Sequence, residues 1–205
     1  MSVDVVAGPV LLPPGLDLTP AKRRLYEKAL ELFSRDTYHA VSIRDIATAL
    51  GQQPSTLYFH VSSKQDLLSE LAIIGHRTHQ AALRDALMDA GADPRDQLRC
   101  VVQAHVRQHL DYPALARVTN REMHALSEAQ RESALTIRYQ SEQIIRDVIE
   151  RGVRLGAFST TDPFLDVKAI GAMGVRLPEW WTADSEQTRE VIIERYSDYA
   201  LRIVT

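Results

Sequence analysis

Residues 42–68, SIRDIATALGQQPSTLYFHVSSKQDLL, constrain the fold more than any other stretch of this 205-residue chain. Ser42 precedes Asp45 by three positions, the spacing of a capping box, so a helix is expected from about Ile43. Ile43, Ile46, Ala47 and Leu50 then share one face. Gly51 supplies the turn, because glycine enters the left-handed region without a Cβ clash. Pro54 suits the first turn of a following helix, expected from Gln53 to about His60, since its missing N–H removes no hydrogen bond there. Two short helices crossed at a glycine turn make a helix-turn-helix, the unit whose second helix enters the DNA major groove.

The segment TLYFHVSSKQDLL resembles the end of the DNA-binding domain of the TetR family of bacterial transcriptional regulators. The resemblance covers roughly 18–71 and holds Gly51, Thr56, Leu57, Tyr58, His60, Lys64 and Leu67 in register. It implies that Arg44 reaches guanine O6 and N7, a contact worth about 1–3 kcal/mol of base discrimination. Gln53, Pro54 and Ser55 open the recognition helix toward base edges, while Ser42, Thr56, Tyr58, His60 and Lys64 are expected to hold phosphates. Leu57, Phe59 and Val61 are read as structural. Many relatives carry an apolar residue at the position of Gln52 and a lysine at that of Ser62; the lost lysine removes one phosphate contact and about one unit of salt slope.

Composition fits a regulator working in a reducing cytoplasm. Cys100 is the sole cysteine, and no apolar run nears the roughly 18 residues a membrane span requires. The first residues lack the basic start of a signal peptide. Between Thr19 and Leu68 seven Lys/Arg face five acids, against a net −3 for the whole chain. That local excess, centred on Lys22-Arg23-Arg24, permits contact with phosphates.

The remainder reads as helices, with no strand-period segment and no internal repeat. Thr19-Pro20 opens the first helix, with Leu25, Ala29, Leu32 and Phe33 at core spacing. Further helices are expected over 64–89, from Pro94 to Tyr112-Pro113, on to about Met123, over 127–151, from Pro163 to about Trp180, and over 185–204. The expected fold is all-α: a three-helix DNA-binding domain (19–66) after a flexible, Gly- and Pro-bearing arm (1–18), then a six-helix ligand-binding and dimerisation bundle (67–205). The resemblance implies a homodimer through the last two helices. Ile170, Met173, Gly174 and Leu177 offer one apolar stripe, Gly171 and Ala172 a close approach, and Ile192, Tyr196, Tyr199, Ala200 and Ile203 a second stripe.

The resemblance also implies a small-molecule effector within the bundle. The segment from Ile145 to Trp181 resembles the branch associated with acyl-CoA-responsive control of lipid or sterol breakdown. Candidate effector contacts are His105, His109, Arg121, His124, Tyr139, Arg176, Trp180 and Trp181. For Arg176 the alternatives are a CoA phosphate and a structural salt bridge, to Glu179 or to a carboxylate across the dimer. His105 and His109, four apart, share a face as metal ligands would, but no third ligand is fixed, so neither a metal nor a cofactor is expected. His76 and His79 are read as facing solvent. No Gly-rich phosphate loop, G-x-S-x-G or acid–base pair supports catalysis. The expected function is therefore non-enzymatic: a homodimeric repressor released from a palindromic double-stranded DNA operator by an effector such as an acyl-CoA thioester. Two alternatives stay open, a repressor answering apolar compounds to control efflux and a ligand-binding bundle with an inactive DNA head.

Overall fold

The computed structural model describes residues 10–205. Among the described residues it consists of helices and connecting turns: α1 (Pro20–Asp36), α2 (Ile43–Ala49), α3 (Pro54–Leu57), α4 (Lys64–Asp89), α5 (Pro94–Asp111), α6 (Pro113–Arg121), α7 (Glu128–Arg154), α8 (Pro163–Trp180) and α9 (Arg189–Val204), with a short 3-10 turn at Met123–Ala125. Side-chain caps open most of the long helices. Thr19, Ser42, Ser63, Asp93, Ser127, Asp162 and Thr188 each accept from a backbone N–H of the first turn. Ser42 and Asp45 close the full capping box, a device worth about 1 kcal/mol. Gly51 turns at φ +67°, as the α2–α3 connection requires.

Two apolar clusters organise the chain. The first joins α1, α2, Leu57 and Val61 to Leu67, Leu68, Leu71 and Ala72 of α4, and draws in Leu115 and Val118 of α6 with Leu126 and Ala134. The second gathers α5, α7, α8 and α9 around Leu98, Val102, Val106, Ile149, Ile170 and Leu177, and takes Leu83 from the far end of α4. Helix α4 thus passes from one core into the other.

Four expectations need correction. The recognition helix is a single four-residue turn, Pro54–Leu57, continued to Val61 by turns rather than by helix. The last helix starts at Arg189, because Thr188 supplies its cap. The arm is packed over 10–18: Leu12 is buried in the first core and the Pro13 carbonyl accepts from Arg23 at 2.8 Å. Residues 1–9 of that arm lie outside the described residues.

The fourth concerns the expected dimer stripes. Ile170, Leu177 and Ala200 are fully buried within their own chain and Ile192 nearly so, whereas Tyr199 and Ile203 of the second stripe stay exposed. A Cβ on Gly174 would sit 2.1 Å from Nε2 of His105, so this glycine lets α8 close on α5, not on a partner. A Cβ on Gly171 meets nothing within 4 Å. Gly174→Ala should accordingly cost about 1–3 kcal/mol by overpacking. Gly171→Ala should be neutral or gain up to about 1 kcal/mol from helix propensity. Urea unfolding of the two variants measures both.

Candidate DNA-reading surface and effector cavity

The capping box fixes the start of α2 and leaves Arg44, its second residue, exposed and without an ion pair among the described residues. Across the Gly51 turn, Gln53 occupies the N-cap of α3 without using its side chain as a cap, and Ser55 is exposed beside it. Pro54 and Thr56 are half-buried, as is His60, while Tyr58 is exposed. Arg44, Gln53, Ser55 and Tyr58 therefore all present free side chains on the outer side of the two-helix unit. Ser42 is exposed too, but its hydroxyl already donates to Asp45 Oδ2 at 2.7 Å.

Two side chains depart from expectation. Lys64 faces inward: Nζ donates to the carbonyls of Tyr38 (2.9 Å) and Val41 (2.8 Å) and lies 4.0 Å over the Tyr38 ring. Burial lowers its pKa, with Asp45 opposing the shift. This ammonium ties the start of α4 to the α1–α2 connection. Phe59, read as structural, is the reverse case. Leu57 and Val61 on either side are buried, yet Phe59 is 87% exposed. The Val61 N–H donates to the Leu57 carbonyl at 3.1 Å, so Leu57 and Val61 share the inner side of a helix-like turn and Phe59, two residues on, faces away.

The bundle encloses a cavity of about 240 Å³ walled by α4, α5, α6, α7 and α8. Its deep side is a group of imidazoles. His79 Nε2 lies 2.8 Å from His105 Nδ1, His105 Nε2 lies 3.2 Å from the Gly171 carbonyl, and His109 Nδ1 lies 2.8 Å from the His105 carbonyl. His76 is buried on the same wall, and its Nε2 has no hydrogen-bond partner. Burial holds all four imidazoles neutral: it pushes His76 and His109 down to about 4, His105 to about 3, and His79 well below the ordinary value. His76 and His79 therefore line the cavity rather than facing solvent. Their register held the signal, since Ala72, His76, His79 and Leu83 recur at intervals of four, three and four along α4.

Three cations line the cavity, half-buried Arg138 on α7 and exposed Lys168 and Arg176 on α8, and the Arg138 charge adds to burial in lowering all four imidazoles. Glu142, the carboxylate of this wall, is shared by Arg138 (3.4 Å) and Lys168. Arg176 is exposed and has no salt bridge among the described residues; Glu179 pairs instead with Arg117, at 3.6 Å. The expected Arg176–Glu179 bridge is thus replaced by a free guanidinium at the cavity rim.

Of the expected effector contacts, His105, His109 and Arg176 line the cavity, and the other five stand elsewhere. Arg121 donates to the Phe33 carbonyl at 2.7 Å and pairs with buried Glu122, joining α6 to the end of α1. The His124 ring lies 5.7 Å from that of His39, beside the first core. Tyr139 is exposed on the outside of α7, and Trp180 is half-exposed at the end of α8. Trp181 donates to the Gln187 carbonyl and anchors the α8–α9 connection. Sequence reasoning missed Arg138, Lys168 and Glu142, whose register on two separate helices converges only after folding.

Residues 25–71 match the model for bacterial regulatory proteins of the tetR family, and residues 91–204 match the tetracyclin repressor-like C-terminal domain. The chain is 27% identical over 147 residues to the HTH-type transcriptional repressor KstR2 of Mycobacterium tuberculosis, covering 71% of this chain and 72% of that protein. A bacterial regulatory protein in the tetR family from Rhodococcus RHA1 superposes with a TM-score of 0.86 at 30% identity, over 91% of this chain and 98% of that one. AibR, solved in complex with isovaleryl coenzyme A and operator DNA, shares the fold at a TM-score of 0.78 and 18% identity, over 89% of this chain and 97% of that one. No helix among the described residues is long and apolar enough to cross a membrane. With the reading head and the effector cavity both in place, this chain belongs to the TetR family of bacterial transcriptional regulators.

Proposed function

We propose that the protein is a homodimeric repressor that holds a palindromic operator and releases it when an acyl-CoA thioester enters the bundle. The observation that carries the effector class is the charge of the cavity mouth. Arg138, Lys168 and Arg176 stand over a wall with the single carboxylate Glu142, so the rim favours an anion. The cavity, at about 240 Å³, falls below the roughly 300–1,000 Å³ of drug-sized sites. It suits an acyl group, with the nucleotide and its phosphates left at the rim against the three cations. The known pairing of AibR with isovaleryl coenzyme A on the same fold supports this reading. An efflux-type sensor of neutral apolar compounds would have no use for an unpaired Arg176.

The dimer reading rests on what α8 and α9 leave uncovered. Leu165, Ala169, Ala172 and Trp180 are exposed along one face of α8, and Val191, Tyr199 and Ile203 along one face of α9. An apolar surface of this kind on two adjacent helices calls for a partner. A two-fold axis there would set two reading heads on two half-sites.

On the DNA, Arg44, Gln53 and Ser55 read bases, and Tyr58, Thr56 and His60 hold phosphates. Phe59 joins them as an apolar contact to a thymine methyl or sugar. Lys64 serves by positioning α2 from behind.

Arg44→Ala combined with Tyr58→Ala should abolish specific operator binding while leaving helix content and oligomeric state unchanged. Fluorescence anisotropy beside circular dichroism reads both, and retained operator affinity would overturn the assignment. Lys64→Met should lower the unfolding temperature yet leave the salt slope of DNA binding unaltered, whereas a lost phosphate contact would reduce that slope by about one. Arg176→Ala with Lys168→Ala should raise the acyl-CoA concentration needed for operator release at least about tenfold, the equivalent of 1.4 kcal/mol. The same variant should bind the corresponding free fatty acid nearly as before. Equal loss for both ligands would move the phosphates away from this rim.

A further inference from the structure

We propose that His79, His105 and His109 form a three-imidazole site for a divalent transition metal, with zinc the best match, in the wall of the effector cavity. One ring nitrogen from each of the three lies within 4.8 Å of the others. His105 and His109 come from successive turns of α5, and His79 reaches across from α4.

The outer hydrogen bonds of His105 and His109 already select the tautomers a metal needs. The Gly171 carbonyl accepts from His105, which places that proton on Nε2 and leaves Nδ1 as a lone pair. The His105 carbonyl accepts from His109 Nδ1, which leaves Nε2 as the lone pair. Ligating histidines almost always donate their second N–H to a carbonyl or carboxylate in this way. His79 Nε2 donates to His105 Nδ1 over 2.8 Å, so an entering ion would replace this shared proton, His79 then carrying its N–H on Nδ1. An ion about 2.1 Å from each nitrogen would part them to about 3.4 Å, a shift of a few tenths of an ångström for a side chain on a cavity wall.

A second observation comes from His76, one helical turn before His79. It is 93% buried, lines the same cavity and leaves Nε2 without a partner. A hydrogen-bonded core cluster would have satisfied that atom. A water or effector oxygen on the metal would satisfy it. Neutral imidazoles are the donors zinc, nickel and copper prefer over carboxylate-seeking magnesium or calcium. Three protein nitrogens leave a fourth position open toward the cavity, as in zinc sites that take an exogenous ligand. The metal would thus offer its open position to a water or to an oxygen of whatever enters the cavity. This inference does not depend on which effector the rim selects.

The test is metal binding by the full-length chain. Protein stripped with a chelator is dialysed against zinc chloride and assayed for bound metal, with cobalt as the spectroscopic probe and magnesium as the control. The expected result is one zinc per chain, a cobalt spectrum typical of a tetrahedral nitrogen site, and no magnesium uptake. His79→Ala and His109→Gln should each weaken zinc binding at least about a hundredfold, since loss of a mere supporting hydrogen bond already costs 10- to 100-fold. His124→Ala, outside the cavity, should leave binding unchanged. Circular dichroism checks folding, and if His109→Gln is unfolded, His79→Ala decides alone because that ring is only partly buried. No stoichiometric zinc in the wild type, or zinc retained in His79→Ala, overturns the proposal; loss in His124→Ala places the metal elsewhere.

Discussion

Everything in this molecule depends on α4 being anchored in two hydrophobic cores at once. Its first turns bury Leu67, Leu68, Leu71 and Ala72 among α1, α2 and α6, and Leu83 is buried among α5 and α7 two turns from its end. At about 1.5 Å per residue, its 26 residues form a rod of about 39 Å. Bending such a rod is costlier than moving it, so a displacement in one core is felt in the other. Between the two anchors stand Gly75, His76 and His79, all in the cavity wall. Whatever enters the cavity therefore presses on α4 near its middle. Its near end carries Lys64, whose ammonium holds the carbonyls just before α2.

A second linkage runs through α6. A Cβ on Gly75 would come within 2.8 Å of Thr119, so α4 and α6 touch backbone to side chain along the cavity. From α6, Arg117 donates to Ser34 Oγ and to the Pro178 carbonyl, while Arg121 donates to the carbonyl of Phe33. The C-terminal end of α1 is thereby tied to the helix that lines the cavity, and through Pro178 to α8. Gln65 donates to the Ala125 carbonyl and Gln130 to the Asp66 carboxylate at the same seam. These are directional contacts with few alternatives, unlike the apolar packing around them. A shift of α6 must break them or carry α1 along, and the reading head with it.

The sequence made the elements legible where local chemistry decides them. Capping residues, Pro54, Pro94, Pro113 and Pro163, and the apolar period set most helix limits without tertiary help. The recognition turn was overextended because Tyr58 to His60 continue an apolar-aromatic pattern that turns satisfy as well as helix does. The dimer stripes were half legible for a different reason: Tyr199 and Ile203 stay exposed as expected, while Ile170, Leu177, Ile192 and Ala200 turn inward. An amphipathic helix in a bundle has one face for its own core, and periodicity cannot say whether a second face exists. On α8 the strong stripe, Ile170 to Leu177, went inward, and the weaker line of Leu165, Ala169 and Ala172 stayed out. The site was half legible: His105 and His109 announced themselves by spacing, but their partners lie on α4, α7 and α8, and only the packing of those helices selects them.

The cavity combines two chemistries that a purely structural core would avoid. Burying four imidazoles without charge forfeits hydration that only three of them recover through protein hydrogen bonds. Leucines of similar volume would pack the same space at lower cost. At the rim, an unpaired Arg176 beside Lys168 and Arg138 adds like-charge repulsion that a single shared carboxylate does not cancel. Both features weaken the empty bundle, and both would be relieved by the anionic occupant proposed above. Because binding free energy is partly the relief of such penalties, the occupied bundle is the better packed one. Under that proposal its contacts to α4 and α6 would carry the tightening to the reading head.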